Sequence, residues 1–458
     1  MVRIKSKILS LLLASAMSLS VMPGVTAFAA ETRGDTSVTY SDDMDYGDLT
    51  EKEMACAEEI LNALVNYKST YTPQGVVSSN YPEIIIDVSS YNLRYERWNK
   101  VRSMISYTHP ELFHINMKTV GIRYNEDNED IVRTVAFTYV IDKDDYSDAK
   151  ERFDDAVDTL VDSVPDGLTK AEIALYVHDY IITRCVYNDS DIQHTYSATY
   201  RTVEGLKKYE HKYYDGTDGT AYGALVDGEA TCAGYSLAYM YVMEKLGIDC
   251  ICIVNDDHVW NMIKIGDSWY HVDVTSDDRQ NVSEYKSQVR HDYFLLSDDS
   301  IKGKSSYHKE WYFGEEASST KYEGRFWSTA NTALVYDSGD KIWYACNEKG
   351  IVSYSFKTGK YKLIYSFDEK WKTKSGTKKL VNPMGSVCAY EDYIYFNSGS
   401  AVYSYKPSDG TIKKIYTSSV CADGEKQIYD MYISSGKLYL GVAASYGDTL
   451  KYYRLALS

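Results

Sequence analysis

The 458-residue chain is 44% hydrophobic and 25% charged, the composition of a folded globular protein, and it is too long for one ordinary core, so two or three domains are expected. Its formal net charge of −17 excludes nucleic acid and anionic membrane surfaces as partners, because both demand concentrated Lys and Arg.

At the N-terminus, Arg3, Lys5 and Lys7 precede an apolar run from Ile8 to Val21 and then Ala27-Phe28-Ala29, a small-residue cleavage pattern. Residues 1–29 therefore read as a secretory signal peptide, with the mature chain starting near Ala30. The run is short and broken by Ser15, Ser18 and Ser20, which argues against a retained anchor. No later segment suits a membrane span, no cysteine follows the cleavage site to carry a lipid, and the C-terminus has no hydrophobic tail. A secreted protein, or one on the extracellular surface, is expected.

Residues 36–165 alternate helical and strand patterns and read as an N-terminal α/β region. Thr50 and Glu53 form a capping box ahead of Ile60, Leu61, Leu64 and Val65; Ile84-Ile85-Ile86 and the stretch Ile131 to Ile141 read as strands. Phe153, Ala156, Val157, Leu160 and Val161 mark one apolar helix face that Pro165-Asp166-Gly167 ends. A second capping box, Thr169 with Glu172, opens a helix carrying His178 and Asp179, where the histidine reads as a satisfied core residue.

The segment 166–310 carries the chemistry. Gly228-Glu-Ala-Thr-Cys232-Ala-Gly234-Tyr235 runs into Ser236 to Leu246, a helical stretch apolar on nearly every face that stops at Gly247. Cys232 thus opens a buried helix, where unpaired backbone N–H groups favour a thiolate and can donate to an oxyanion. Next come strands Ile248 to Val254 and His258 to Ile265, the second turning at Gly266-Asp267 into Ser268 to Thr275. With a two-residue turn, Trp260 stands opposite Asp273, and His258 lies on the same face as Asp273, its diagonal neighbour. Cys, His and Asp so placed suggest nucleophile, base and orienting carboxylate, although each alone has a plainer account.

Eight cysteines in an exported chain would suggest disulfides, but the spacing gives no scaffold, and mostly buried, inert thiols are expected. Cys250, Cys252 and His258 offer three ligands in an unusual spacing, too few for a zinc site. No metal is expected.

Three blocks, Gly228 to Tyr235, His258-Val-Trp260-Asn261 and Trp269-Tyr-His-Val-Asp273-Val-Thr275, resemble the transglutaminase-like proteins, which share a papain-type thiol core. The resemblance extends to His178-Asp179-Tyr180, Tyr222-Gly223-Ala224-Leu225 and Tyr293-Phe294-Leu295-Leu296-Ser297, as in bacterial exported members. It implies an α+β fold in which residues 166–310 are a transglutaminase-like catalytic domain, with the Cys-bearing helix packed on an antiparallel sheet. It further implies a catalytic triad at Cys232, His258 and Asp273. Many members continue Thr-Trp-Asp-Asp-Pro after the catalytic Asp; here Thr275-Ser276-Asp277-Asp278-Arg279 lacks the Trp and the Pro.

The chemistry implied is acyl transfer on protein or peptide amides through a Cys thioester, resolved by water in a peptidase or by an amine in a cross-linker. The resemblance favours hydrolysis; a catalytically inactive cell-surface binding protein is the alternative. No EF-hand pattern is present and no cofactor is implied. Tyr222 is a candidate oxyanion donor against a packing role, and Trp260 a candidate wall of the substrate groove against core packing.

Residues 325–458 are β-rich and repetitive. Lys341-Ile-Trp-Tyr with Gly350-Ile-Val-Ser-Tyr-Ser matches Asp392-Tyr-Ile-Tyr-Phe with Ser400-Ala-Val-Tyr-Ser-Tyr, and a looser third copy begins at Gly436. The period of roughly 50 residues resembles propeller blades, but three copies are too few to close a propeller, so an open or sandwich-like β-domain is expected. Its expected role is either docking to cell-wall or surface components or a structural cap.

Overall fold

The computed structural model describes residues 49–66, 83–125, 128–188, 214, 216–279, 285–367 and 385–457, so the expected signal peptide lies outside the described residues. Helix α1 (Glu51–Val65) opens with the Thr50–Glu53 capping box. Strands β1 (Glu83–Asp87), β2 (Leu93–Arg94), β3 (Gly121–Asn125) and β4 (Asn128–Thr138) make an antiparallel sheet in which β4 pairs with the other three. Ile84 and Ile86 are buried while Ile85 points to the other, half-buried face. Helix α2 (Tyr95–Thr108) closes this layer, with Trp98, Val101 and Ile105 in a core shared with Ile60 and Phe137.

The central core is larger. Helix α3 (Tyr146–Ser163) buries Phe153, Ala156 and Leu160 in a core it shares with α4 (Lys170–Ile182), which starts at the Thr169–Glu172 capping box. A short parallel pair, β5 (Val186–Tyr187) with β6 (Glu229–Ala230), leads into α5 (Cys232–Lys245), whose residues from Gly234 to Met243 are all buried. A side chain at every position of a buried helix must be apolar or bonded, and this sequence is Gly-Tyr-Ser-Leu-Ala-Tyr-Met-Tyr-Val-Met. Beneath it lie β7 (Cys250–Val254), β8 (Val259–Ile265), β9 (Ser268–Val272) and β10 (Phe294–Leu296), antiparallel in the order β10-β9-β8-β7. One-turn helices α6 (Val274–Asp277) and α7 (Asp298–Lys302) follow β9 and β10.

The repeats become three meanders. The first is β11 (Val335–Asp337), β12 (Ile342–Asn347), β13 (Gly350–Tyr354) and β14 (Tyr361–Ser366). The second is β15 (Val387–Tyr390), β16 (Tyr393–Ser398), β17 (Ala401–Lys406) and β18 (Thr411–Thr417). The third has three strands, β19 (Gln427–Ser434), β20 (Lys437–Ala443) and β21 (Lys451–Ala456). The fold is α+β, and no closed barrel or propeller occurs among the described residues.

These sheets are bonded to the centre. Leu334 N donates to Asp179 Oδ2 at 2.6 Å, and Trp343 Nε1 donates to Glu172 Oε1 at 3.0 Å. Trp327, Leu334, Trp343 and Val352 belong to the same apolar core as α4 and α5. Farther along, buried Asp430 on β19 accepts from Lys286 N, Ser287 N and Ser287 Oγ of the loop before β10. Among the described residues, no helix is long and apolar enough to cross a membrane.

Candidate active site

The start of α5 is held in place by small residues and backbone bonds. Thr231 N and Oγ1 both donate to Asp218 O, at 2.8 and 3.3 Å. Gly234 sits so close to this loop that a Cβ there would meet Asp218 O at 2.5 Å and Ala230 Cβ at 2.8 Å. One turn on, Ser236 Oγ donates to Val259 O at 3.0 Å and Asn261 Nδ2 donates to Ser236 O at 3.0 Å, fastening the helix to β8. Cys232 is thereby fixed beside the N-terminal end of β8, half-buried, on a helix whose N-cap side chain makes no capping bond.

The β8–β9 hairpin supplies the partners. Ile265 pairs with Ser268 across Gly266-Asp267, and only the glycine has positive φ, as a II′ turn requires. Counting from this register, Trp260 and Asp273 are opposite, and His258 follows on the same face just before β8 begins. His258 Nε2 bonds Asp273 Oδ2 at 2.7 Å, with the His258 side chain 11% exposed and Asp273 fully buried. Asp273 Oδ1 does a different task, accepting from Ser276 N at 2.9 Å as the N-cap of α6. The other ring nitrogen of His258, Nδ1, makes no bond to Asp273, and the Cys232 sulfur is close enough to act on the ring.

Burial alone would lower the basicity of His258, but the Asp273 carboxylate and then the Cys232 sulfur outweigh it and push its pKa up to about 10. Burial likewise opposes the charge on Asp273, yet His258 and His308 hold its carboxyl well below the usual carboxylate range. All eight cysteines are free, and burial pushes the Cys56 and Cys346 thiols up to about 12.

Tyr222 packs elsewhere. Its ring stacks on Phe113 at 5.3 Å, and its hydroxyl accepts from Arg152 Nε at 3.0 Å. Trp260 is fully buried, so it is a floor under the site and not a wall of an open groove: its ring stacks on His258 at 5.7 Å and its Nε1 donates to His271 Nδ1 at 3.1 Å. Between Ser276 and Arg279, which stand where the family pattern has Trp and Pro, Asp277 and Asp278 are buried and bonded, Asp277 to His178 Nε2 and Asp278 to the Tyr235 hydroxyl.

Two residues join the site without a sequence motif. His308, on the turn Ser306–His308, places Nε2 2.8 Å from Asp273 Oδ2. Tyr107 of α2 comes near Cys232; burial, then the sulfur, push its hydroxyl up to about 12. In each of two sets, His178–Asp179–His291 and His258–Asp273–His308, the three donor atoms lie within 4.8 Å of one another. Their bonded separations of 2.7 to 2.8 Å are those of shared protons, and neither set is assigned to a metal. A cleft of about 530 Å³ lined by Arg279, Arg290, His291 and Lys349 includes none of Cys232, His258 and Asp273.

No family model and no curated protein matches this chain. Among solved structures, similarity is found to one described as a TGase, with a TM-score of 0.21, 11% identity, and 45% of this chain and 54% of that chain covered. Two extracellular domains from B. thetaiotaomicron are also similar. One, of a one component system, gives a TM-score of 0.18, 14% identity and coverage of 40% and 18%. The other, of a hybrid two component system, gives 0.19, 14%, and 45% and 27%. The chain spans about half the length of the TGase structure and less of the other two.

Proposed function

We propose that this chain is an exported thiol enzyme of transglutaminase-like type that acts on protein or peptide amides through a thioester on Cys232. The observation that carries the reading is the bond of His258 Nε2 to buried Asp273 Oδ2, with the sulfur of half-buried Cys232, at a helix start, acting on the same ring. The cycle starts from the pair in which the Cys232 proton has passed to His258. The thiolate attacks the amide carbon, and first-turn amides of α5 donate to the oxyanion. As the C–N bond breaks, His258 gives its Nδ1 proton to the departing amine, leaving the thioester and a neutral imidazole. Water then attacks, His258 takes its proton, and the thiolate leaves with the acid released.

Hydrolysis is favoured over cross-linking by the resemblance alone, so the acceptor is the point to test. The mature chain is incubated with a glutamine-rich protein and a fluorescent amine. Fragments or free ammonia without fluorescence, absent in Cys232→Ala, are expected; Cys232-dependent fluorescence would replace the hydrolase reading by a cross-linking one.

A further inference from the structure

We propose that His308 is a positioning residue of the thiol site, holding the Asp273 carboxylate by the same oxygen that holds His258; the inference rests on the thiol-enzyme reading above. Asp273 Oδ2 lies 2.7 Å from His258 Nε2 and 2.8 Å from His308 Nε2. A carboxylate can only accept, so each Nε2 carries a hydrogen. On its far side, His308 Nδ1 is 2.8 Å from Ser305 Oγ, which also accepts from Tyr307 N at 3.2 Å. A polar chain results: Tyr307 N–H to Ser305, Ser305 to His308, His308 to Asp273, and Asp273 to His258.

Packing fixes this ring. His308 is fully buried, edge-on to His258 at 5.4 Å and to Trp260 at 4.9 Å, with the Tyr293 ring at 5.1 Å. The titratable groups around it are Asp273, His258, His271, Tyr293, and Lys302 and Lys304 beyond. Among the described residues, only Asp273 and Ser305 are hydrogen-bonded to it.

Two donors on one oxygen divide its negative charge, so Asp273 holds the His258 imidazolium less tightly than it would alone. His308 thus keeps that imidazolium acidic enough to give up its proton to the leaving amine.

The test follows the rate of Cys232 alkylation by iodoacetamide on the full mature chain from about pH 4 to pH 11, which needs no known substrate. Wild type is expected to show an acid step, as the thiolate forms, and an alkaline step, as the imidazolium is lost. His308→Leu is expected to move the alkaline step up by roughly half to one pH unit. His308→Gln, whose Nε2–H reaches the same oxygen, is expected to restore the wild-type position, and Ser305→Ala to move it in the Leu direction by less. An unmoved alkaline step in a folded His308→Leu, with only the melting temperature lowered, would overturn the proposal; if that variant does not fold, an unmoved step in Ser305→Ala does so. A wild-type Cys232 that titrates in one step, as an ordinary thiol, would instead overturn the thiol-enzyme reading itself.

Discussion

Replacing Asp273 by Asn keeps an oxygen to cap α6 through Ser276 N–H and removes the charge that His258 faces, so fold and chemistry separate at one residue. Amide turnover is expected to fall roughly 10³-fold or more. The alkaline step of Cys232 alkylation, placed by an imidazole pKa of about 10, should drop toward the ordinary value of 6.5, because burial is then the dominant influence. An unmoved step in a folded variant would show that Asp273 does not govern His258. His178 gives a second pH effect. Burial lowers its basicity, but Asp179 and Asp277 outweigh it and raise the pKa to about 9. The folded chain therefore holds this proton more tightly than the unfolded one, so its contribution is complete below about pH 6.5 and is lost as pH rises through about 9. Thermal melts across that window should show a falling midpoint, with a flatter profile in His178→Gln. Cys232, His258 and Asp273 are readable in the sequence because each sits at a fixed offset from a helix start or a two-residue turn. His308 is not, because it joins Asp273 from 35 residues away out of Ser-Ser-Tyr-His, a run with no period and no turn signature.

Elements were legible where a local rule sets them. Both capping boxes form as read, Thr50 with Glu53 and Thr169 with Glu172, and Gly266-Asp267 sets the hairpin register. Helix α5 is apolar along almost its whole length, and Glu244 is its exception: both carboxylate oxygens are buried without a hydrogen-bond partner among the described residues. Burial, then Glu111 and Asp249, push its pKa up to about 9. This group favours the fold fully only below about pH 4.5 and loses that contribution as pH rises through about 9. Glu244→Gln is accordingly expected to raise stability by roughly 1–3 kcal/mol at pH 8 and by little at pH 4, read from denaturant midpoints. At the other end of α5, Gly234→Ala forces a Cβ against the Asp218 carbonyl at 2.5 Å. Displacement of the Cys232 turn should cost roughly 1–3 kcal/mol and reduce the alkylation rate of Cys232 together with it.

For the molecule as a whole, the sequence shows repeats and not how they are anchored. The three meanders match the repeated text, and Trp343 lies within it, but Leu334 and Asp430, which also tie the sheets to the centre, lie outside it. Asp430→Ala would leave Lys286 N, Ser287 N and the Tyr452 hydroxyl without their acceptor. A loss of roughly 3 kcal/mol is expected in urea unfolding. Truncation before residue 325 would strip Trp327, Leu334 and Trp343 from the core of α4 and α5, and such a fragment is expected to aggregate on expression while the full chain does not. A soluble, alkylation-competent fragment would show the sheets to be an independent appendage.

The amide of Leu334 reaches back 155 residues to Asp179, and that of Lys286 reaches forward 144 to Asp430. Pairings so distant along the chain form late in folding, after the ends of long loops have met. A polypeptide delivered N-terminus first presents its cysteine helix well before the strands that finish the surrounding interior have emerged. The surroundings of Cys232 are therefore completed with the last third of the chain, and an interrupted translation product carries this cysteine without them.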